Sequence, residues 1–218
     1  MRLLLIRHGQ TPGNVRRELD TSFPGPGLTE LGTRQAAAIP DALRDEPIDA
    51  IFASRLVRTG LTAEPLASDR GLDITVLDGL HEIEAGLLEK RSDEASVQRY
   101  LETAFSWGAG DLDVVMPGGT DGRAFFRRFD AGIEIVATTA GTAAVFSHGA
   151  AIRVWTAGRA TNIPPVFAGR HELENTGVVE LNGTPEDGWT LTSWAGLPVG
   201  GAELADAEAG DPTGGPLP

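Results

Sequence analysis

Short apolar runs that stop at polar residues are the clearest pattern in this chain. Residues 3–6 are apolar and end at Arg7-His8-Gly9, and residues 143–146 repeat the design and end at Ser147-His148-Gly149. Short apolar runs bounded by turn residues are typical of buried strands. In an open α/β sheet, ligands bind outside the carboxyl ends of the strands. The pattern therefore predicts two strands that each deliver one histidine to a binding site.

The rest of the chain alternates between helical and extended patterns. Thr29 can cap a helix that runs toward Ala42, and Pro40 is expected to kink or end it. Further strands are predicted at 49–54, 73–77, 174–181 and 190–194, and further helices at 55–69, 94–105, 120–136 and 150–155. Because strands alternate with helices, a parallel sheet covered on both faces is favoured. The sequence therefore predicts a three-layer α/β/α sandwich with a mostly parallel sheet.

Two segments depart from this alternation. Residues 84–119 hold a polar helix and a Gly-rich turn, and we interpret them as a small inserted cap within a single domain spanning 1–194. In the remaining segment, 195–218, ten of 24 residues are Gly or Pro, mixed with Asp and Glu. This composition predicts a tail that buries little and is flexible, with docking against the domain as the alternative.

Composition and charge narrow the range of functions. The chain has 218 residues, 41% hydrophobic and 22% charged, as in an ordinary globular domain. No apolar run approaches the ~18 residues of a membrane span, and no signal-peptide pattern follows Met1, so a cytoplasmic location is the default expectation. The absence of cysteine excludes thiol nucleophiles and thiolate metal sites. The net charge of −13 argues against nucleic-acid and membrane partners, and the oligomeric state, including a homodimer, stays open.

Donors suited to an anion surround the predicted histidines. Gln10, Thr11 and Asn14 follow the first strand, and all three side chains can donate hydrogen bonds. Arg55 and Arg58 follow the second strand at the start of a helix, where free N–H groups also favour an anion. The alternative is that each histidine ends a strand at a surface turn and that both arginines are solvated. The repetition of the pattern favours a site for an anion that reacts with a nitrogen nucleophile.

Six sequence blocks occur in the order typical of one family. They are Leu5-Ile6-Arg7-His8-Gly9-Gln10-Thr11 with Asn14, Leu28-Thr29-Glu30-Leu31-Gly32 with Gln35-Ala36, Ser54 to Thr62-Ala63, Leu80-His81-Glu82-Ile83 with Gly86, Phe146-Ser147-His148-Gly149 with Ile152-Arg153, and Asn175-Thr176-Gly177. Each block alone is weakly specific. Their order from residue 3 to about 181 makes the chain resemble the histidine phosphatase superfamily, also called the phosphoglycerate mutase-like family.

The resemblance implies a role for each catalytic candidate. His8 would be the nucleophile that becomes phosphohistidine, and Glu82 would donate the proton to the leaving oxygen. Arg7, Arg58 and His148 would hold the phosphoryl group, whose transition state spreads negative charge over its oxygens. The remaining candidates, Gln10, Thr11, Asn14, Thr21, Ser22 and Gly149, would bind substrate. No cofactor is implied, and no metal-ligand spacing is evident.

The function implied is metal-independent hydrolysis of a phosphate monoester, with a small phosphorylated metabolite as the partner. A cofactor-dependent phosphoglycerate mutase would use the same residues, although the short loop at 20–27 favours a phosphatase. A non-catalytic phospho-ligand binding protein is the second alternative, but binding alone needs neither a nucleophile nor an acid. Glu84 is the rival of Glu82 as the acid. His81 and His171 are expected on the surface.

Overall fold

The computed structural model describes residues 1–206 and 211–217, and one six-stranded sheet organises them. Its strands are β1 (Arg2–Arg7), β2 (Ala50–Ala53), β3 (Ile74–Val76), β4 (Thr142–Ser147), β5 (Val178–Thr184) and β6 (Gly188–Ala195). The order across the sheet is β3-β2-β4-β1-β5-β6. Strands β1 to β4 run parallel, and β5 and β6 join antiparallel at the β1 edge. The predicted mostly parallel sheet is confirmed.

Helices cover both faces of this sheet. They are α1 (Pro12–Val15), α2 (Glu30–Ala42), α3 (Val57–Arg70), α4 (Glu94–Gly108), α5 (Gly122–Thr139), α6 (Gly149–Arg159) and α7 (Phe167–Arg170). Because successive side chains of a strand point to opposite faces, β1 contributes to two cores. Leu4 and Ile6 pack in a buried cluster with α2 and α3, and Leu3 and Leu5 pack in a second cluster with α4, α5 and α6. The three-layer α/β/α arrangement is therefore present.

Local signals set where these helices begin and end. The Thr29 side chain accepts a hydrogen bond from the backbone of Gly32, so it caps α2 as predicted. Pro40 lies inside the last turn of α2, which ends two residues later at Ala42. The apolar stripe of α5 is buried: Phe125, Phe129, Ile133 and Val136.

The segment interpreted as a cap and the C-terminal tail both contact the domain. Within 84–119, α4 packs against α6 and buries Tyr100 and Trp107 in the same core as β1. Strand β6 continues to Ala195, so the tail begins one residue later than predicted. In its described parts, exposed and half-buried residues are mixed over 196–206, and 211–217 is mostly half-buried. The expectation that the tail buries little does not hold for 211–217, and the cause lies in the site described next.

Candidate active site

His8 and His148 lie side by side because their strands are neighbours. Strands β1 and β4 pair in parallel with Arg7 opposite Ser147, so the residue after each strand end reaches the same sheet edge. The two imidazole rings are 5.2 Å apart between centroids, and both are buried. The structure thus brings together the two histidines that the sequence pattern singled out.

A hydrogen bond to its own neighbour fixes the ring of His8. Its Nδ1 lies 2.8 Å from the carbonyl oxygen of Gly9, which can only accept, so Nδ1 carries the hydrogen. The neutral ring then has its lone pair on Nε2. Burial, together with the charges of Arg58 and Arg7, lowers the pKa of His8 well below its usual range. His8 is therefore a neutral imidazole with a free nitrogen lone pair at neutral pH.

His148 is held in the complementary orientation by Ser54, which ends β2. The Ser54 Oγ lies 2.7 Å from His148 Nε2 and accepts a hydrogen bond from the Leu56 backbone, so its own hydrogen can go to Nε2. When Ser54 donates to Nε2, the hydrogen of the neutral ring lies on Nδ1, a buried atom with no partner among the described residues. Burial also lowers the pKa of His148 well below its usual range. His148 can thus offer one uncharged N–H donor to an oxygen.

Arg58 supplies positive charge to the same site from the first turn of α3. Its side chain is buried, and Nη2 donates to the backbone oxygen of Asp20 at 2.9 Å. Its Nε and Nη1 are buried without a partner in the described part of the chain. An unpaired buried charged donor is costly, so these two N–H groups are suited to receive anionic oxygens. Arg55, three residues earlier, is instead exposed and pairs with Asp78 at 3.0 Å.

The carboxylate of Glu82 is held in the site by backbone N–H groups at the amino end of α6. Its carboxylate accepts hydrogen bonds from the backbone N–H groups of Ala150 and Ala151, at 3.1 and 2.8 Å, and from that of Ile83 at 2.8 Å. These bonds favour the ionised form, but burial outweighs them and raises the pKa of Glu82. The group is thereby fixed in place and disposed to carry a proton, as a general acid requires.

Glu84, the rival acid, lies in a different environment. It hydrogen-bonds His81 Nε2 at 2.6 Å and lies 3.5 Å from Arg128. Burial alone would raise the pKa of Glu84. The hydrogen bond with His81 and the charge of Arg128 outweigh burial and together lower that pKa to about 2. His81 is itself buried, contrary to the surface position expected, because its other nitrogen binds the Asp78 carbonyl. His171 is exposed, as expected.

The loop after β1 is fixed by buried polar side chains. Thr62 of α3 accepts from the Gly9 N–H at 2.9 Å, and Gln35 of α2 accepts from the Gln10 N–H at 2.8 Å. Asn175 donates to the His8 carbonyl at 3.0 Å. The loop that begins at His8 is thus anchored to α3, to α2 and to the turn before β5. The sequence blocks contain these residues, but their spacing alone does not reveal what each one contacts.

The side chain of Arg7 is buried, and its guanidinium group donates hydrogen bonds to the C-terminal tail. Its Nη1 donates to the Leu173 carbonyl at 2.7 Å. Its Nη2 donates to the Asp211 carboxylate and, at 3.0 Å, to the Thr213 hydroxyl. Sequence reasoning missed Asp211 and Thr213, because nothing in a Gly/Pro-rich tail indicates where it docks.

The structure places five of the six predicted substrate-binding residues in or near the site. Thr11, Asn14 and Thr21 line the cavity beside His8. Gln10 donates to Asp206 at 2.5 Å. A side chain at Gly149 would come within 3.0 Å of Arg7 Nε, so only glycine permits that close approach.

Ser22 is the exception among the predicted substrate-binding residues. Its side chain is exposed, and its backbone binds Glu89 at 3.1 Å, so the loop turns it away from the cavity. The neighbouring Thr21 hydroxyl also donates to Glu89, at 2.5 Å.

The cavity at His8 is small and carries charges of both signs. His8, Arg58 and Glu82 line it together with Asp211 and Thr213 of the tail. Its free volume is ≈ 20 Å³, which is room for about one water molecule. Arg7 lines an adjoining cavity of ≈ 120 Å³, and Asp211 belongs to the walls of both.

The described residues form neither a metal site nor a membrane-spanning helix. No group of three or more His, Asp or Glu side chains within 1–206 and 211–217 is arranged to hold a metal ion. Over the same ranges, every helix is too short or too polar to traverse a lipid bilayer.

The similarities of this chain to known proteins point to one family. A model described as the histidine phosphatase superfamily (branch 1) matches residues 3–196. The chain is 41% identical over 93% of its length to the PE-PGRS family protein PE_PGRS11 of Mycobacterium tuberculosis, and it spans 38% of that protein. It is 27% identical to a probable phosphoglycerate mutase, GpmB, of Salmonella choleraesuis, with 97% of this chain and 98% of that one covered.

Solved structures agree with that family. The α-ribazole phosphatase from Shigella flexneri superposes with a TM-score of 0.70 at 26% identity, and the match covers 89% of this chain and 96% of that one.

Proposed function

Because the chain belongs to the histidine phosphatase superfamily and is an enzyme of the phosphatase class, we propose that it hydrolyses a phosphate monoester through a phosphohistidine on His8. One observation carries this proposal. The His8 ring has Nδ1 hydrogen-bonded to the Gly9 carbonyl and Nε2 without a partner in the described part of the chain, in a cavity shared with Arg58 and Glu82. A nucleophile, a cation and an acid thus share one small space.

The first half-reaction forms the covalent intermediate. The Nε2 lone pair of His8 attacks phosphorus, and the bond from phosphorus to the ester oxygen breaks. Glu82 gives its proton to that oxygen, which leaves as an alcohol. The free N–H groups of Arg58 and the Nδ1–H of His148 can bind the oxygens of the transferring group, where negative charge accumulates. The Gly9 carbonyl accepts the Nδ1–H bond throughout and stabilises the positive charge on the phosphorylated ring.

The second half-reaction releases phosphate. Glu82, now a carboxylate, takes a proton from water, and the water oxygen attacks phosphorus. The bond from phosphorus to Nε2 breaks, and its electron pair returns to the ring. Inorganic phosphate leaves, His8 is neutral again and Glu82 is protonated again. The guanidinium groups supply the positive charge, so no step of this scheme uses a metal ion.

Mutase activity is the second candidate, favoured by the similarity to the protein named probable phosphoglycerate mutase. A mutase must hold phosphoglycerate, which carries a carboxylate besides its phosphate. Among the described residues lining the His8 cavity, Arg58 is the only lysine or arginine, and the carboxylates of Glu18 and Asp20 are paired with Arg16 and Lys90. With Arg58 assigned to the phosphoryl group, none of these lining residues is a second cation for the carboxylate of phosphoglycerate, which supports hydrolysis over mutase activity.

Assays with two substrates separate these functions. With an aryl phosphate, we expect release of inorganic phosphate. With 3-phosphoglycerate and a bisphosphoglycerate primer, we expect free phosphate or no reaction, measured by phosphate release and by nuclear magnetic resonance of the products. Rapid formation of 2-phosphoglycerate would replace the hydrolase proposal with the mutase. Absence of turnover on a broad panel of phosphate esters would leave only a binding function.

A further inference from the structure

The C-terminal segment 211–217 contacts two residues, Arg7 and Asn14, that are predicted to bind the phosphoryl group or the rest of the substrate. The Asp211 carboxylate accepts hydrogen bonds from Arg7 Nη2 and, at 2.7 Å, from Asn14 Nδ2. Both of these donors are predicted to bind substrate. One carboxylate oxygen, Oδ2, accepts both bonds, so Asp211 places a single anionic oxygen between two donors, as one oxygen of a phosphate can. Asp211 therefore makes the contacts that a phosphate would make.

Other contacts hold Asp211 in this position. Its second carboxylate oxygen accepts from the Thr213 N–H at 3.0 Å, which forms a tight turn. The buried Arg153 of α6 donates to the Thr213 carbonyl at 2.8 Å, and the Leu173 N–H donates to the Gly214 carbonyl at 2.8 Å. Leu217 binds the Gly169 carbonyl at 2.7 Å. The segment is thus held by contacts of its backbone at 213, 214 and 217, all of which follow Asp211.

Substrate cannot enter this arrangement without displacing the segment. The cavity at His8 has ≈ 20 Å³ free, which is space for about one water. Asp211 separates it from the ≈ 120 Å³ cavity lined by Arg7. Withdrawal of Asp211 would join the two spaces and free the donors of Arg7 and Asn14 at once.

We propose that the segment 211–217 is an internal ligand of the catalytic pocket, with the Asp211 carboxylate in the phosphate position, and that a phosphate-bearing substrate must displace it. Affinity for any phosphate is then reduced by the fraction of molecules whose pocket is open. Because binding is reciprocal, phosphate must in turn release the segment. The inference rests on the proposed function only in that this pocket binds a phosphoryl group.

Binding of inorganic phosphate to the full-length protein tests the proposal without any need for turnover. Asp211→Ala should tighten the dissociation constant measured by calorimetry about tenfold or more, which is about 1.4 kcal/mol per tenfold. Asp211→Asn should give a smaller gain, because the amide keeps an acceptor but no charge. Asp41→Asn, which removes an exposed acid of α2, is the matched control and should change nothing.

Kinetics give a second readout of the same variants. With an aryl phosphate, Asp211→Ala should lower KM by a similar factor and leave kcat unchanged, because the segment competes with substrate and takes no part in the chemistry. Unchanged or weaker phosphate binding in Asp211→Ala would overturn the proposal and make Asp211 a supporting wall of the site. Tighter phosphate binding without turnover on any ester would uphold it while the proposed hydrolysis failed.

The wild-type protein offers a test that no folding defect can confuse. The Leu173 amide is bonded to Gly214, so phosphate should speed its hydrogen exchange if the segment leaves. The Ala144 amide, in the centre of the sheet on β4, should exchange at the same rate with and without phosphate. Unchanged or slower exchange of the Leu173 amide at saturating phosphate would contradict displacement.

Discussion

His8 and His148 come from neighbouring parallel strands, whereas the wall that faces them comes from Asp211, 204 positions after Arg7. The two histidines, with Arg58 and Glu82, form the strand-end set, and Asp211 and Thr213 form the tail wall. Regular elements and short backbone bonds fix the strand-end set, and long-range polar contacts fix the tail wall. The reacting groups are therefore built into the fold, whereas in the proposed mechanism access to them depends on a separable segment.

The largest effect should come from removing the cation of the strand-end set. Arg58→Ala deletes the two unpaired N–H groups that face the phosphoryl site. The loss in kcat/KM for an aryl phosphate should be about a thousandfold or more, the scale of a transition-state arginine in phosphoryl transfer. Arg55→Ala, three residues away and exposed, should retain nearly full activity. Similar losses in both variants would mean that α3 as a whole, and not Arg58, supports the reaction.

A somewhat smaller effect should follow from Glu82→Gln, and it should depend on the leaving group. Alkyl phosphates leave as basic alkoxides and should lose about a hundredfold or more, the usual contribution of a general acid. An activated aryl phosphate needs the proton less and should lose less. Glu84→Gln is the matched comparison and should spare both substrates. Equal losses for the two ester types in Glu82→Gln would identify Glu84 as the acid to examine next.

The pH dependence of kcat/KM tests the roles assigned to His8 and Glu82. His8 attacks only when neutral, and burial lowers its pKa, so activity should fall only well below the usual histidine range. Glu82 donates only when protonated, and burial raises its pKa, so activity should fall again as the pH rises above that raised value. The result is a bell for kcat/KM whose acidic limb is set by His8 and whose alkaline limb is set by Glu82.

The alkaline limb of that bell is the diagnostic part. Glu82→Gln cannot titrate, so the limb should disappear while the acidic limb remains. A complete bell in Glu82→Gln would show that another group sets the alkaline limb.

The smallest effect should come from metal removal. Excess chelator should leave hydrolysis of an aryl phosphate unchanged, because Arg58 and Arg7 provide the positive charge in the proposed scheme. Loss of activity on chelation, with recovery on addition of a divalent ion, would require a different mechanism. The effect of metal removal is measured as the rate of phosphate release before and after chelation.

The two regions also differ in how far the sequence predicts them. The apolar runs that end at His8 and His148 predicted their strands, and parallel pairing brings such ends to one edge. The side-chain environment was less predictable: His81 is buried by its bonds to Asp78 and Glu84, although a histidine in a loop is usually exposed. Ser22 turns outward because Glu89 binds its backbone.

The tail wall lay beyond prediction for a physical reason. Its position depends on one carboxylate meeting Arg7 and Asn14 across the whole length of the chain, and no periodicity or local propensity encodes that encounter. The composition of the tail suggested exposure, because Gly and Pro bury little apolar surface. Polar contacts with Arg7 and Asn14 hold the tail wall against the domain instead.

In the proposed mechanism, His8 becomes covalently phosphorylated. The direct measurement is rapid mixing with substrate, quenching in alkali, which preserves phosphohistidine, and mass spectrometry of the peptides. We expect one added phosphoryl group on the peptide containing His8, and neither label nor turnover in His8→Ala. His171→Ala, which removes an exposed histidine, should label as the wild type does. Label on another residue, or turnover that persists in His8→Ala, would contradict the account.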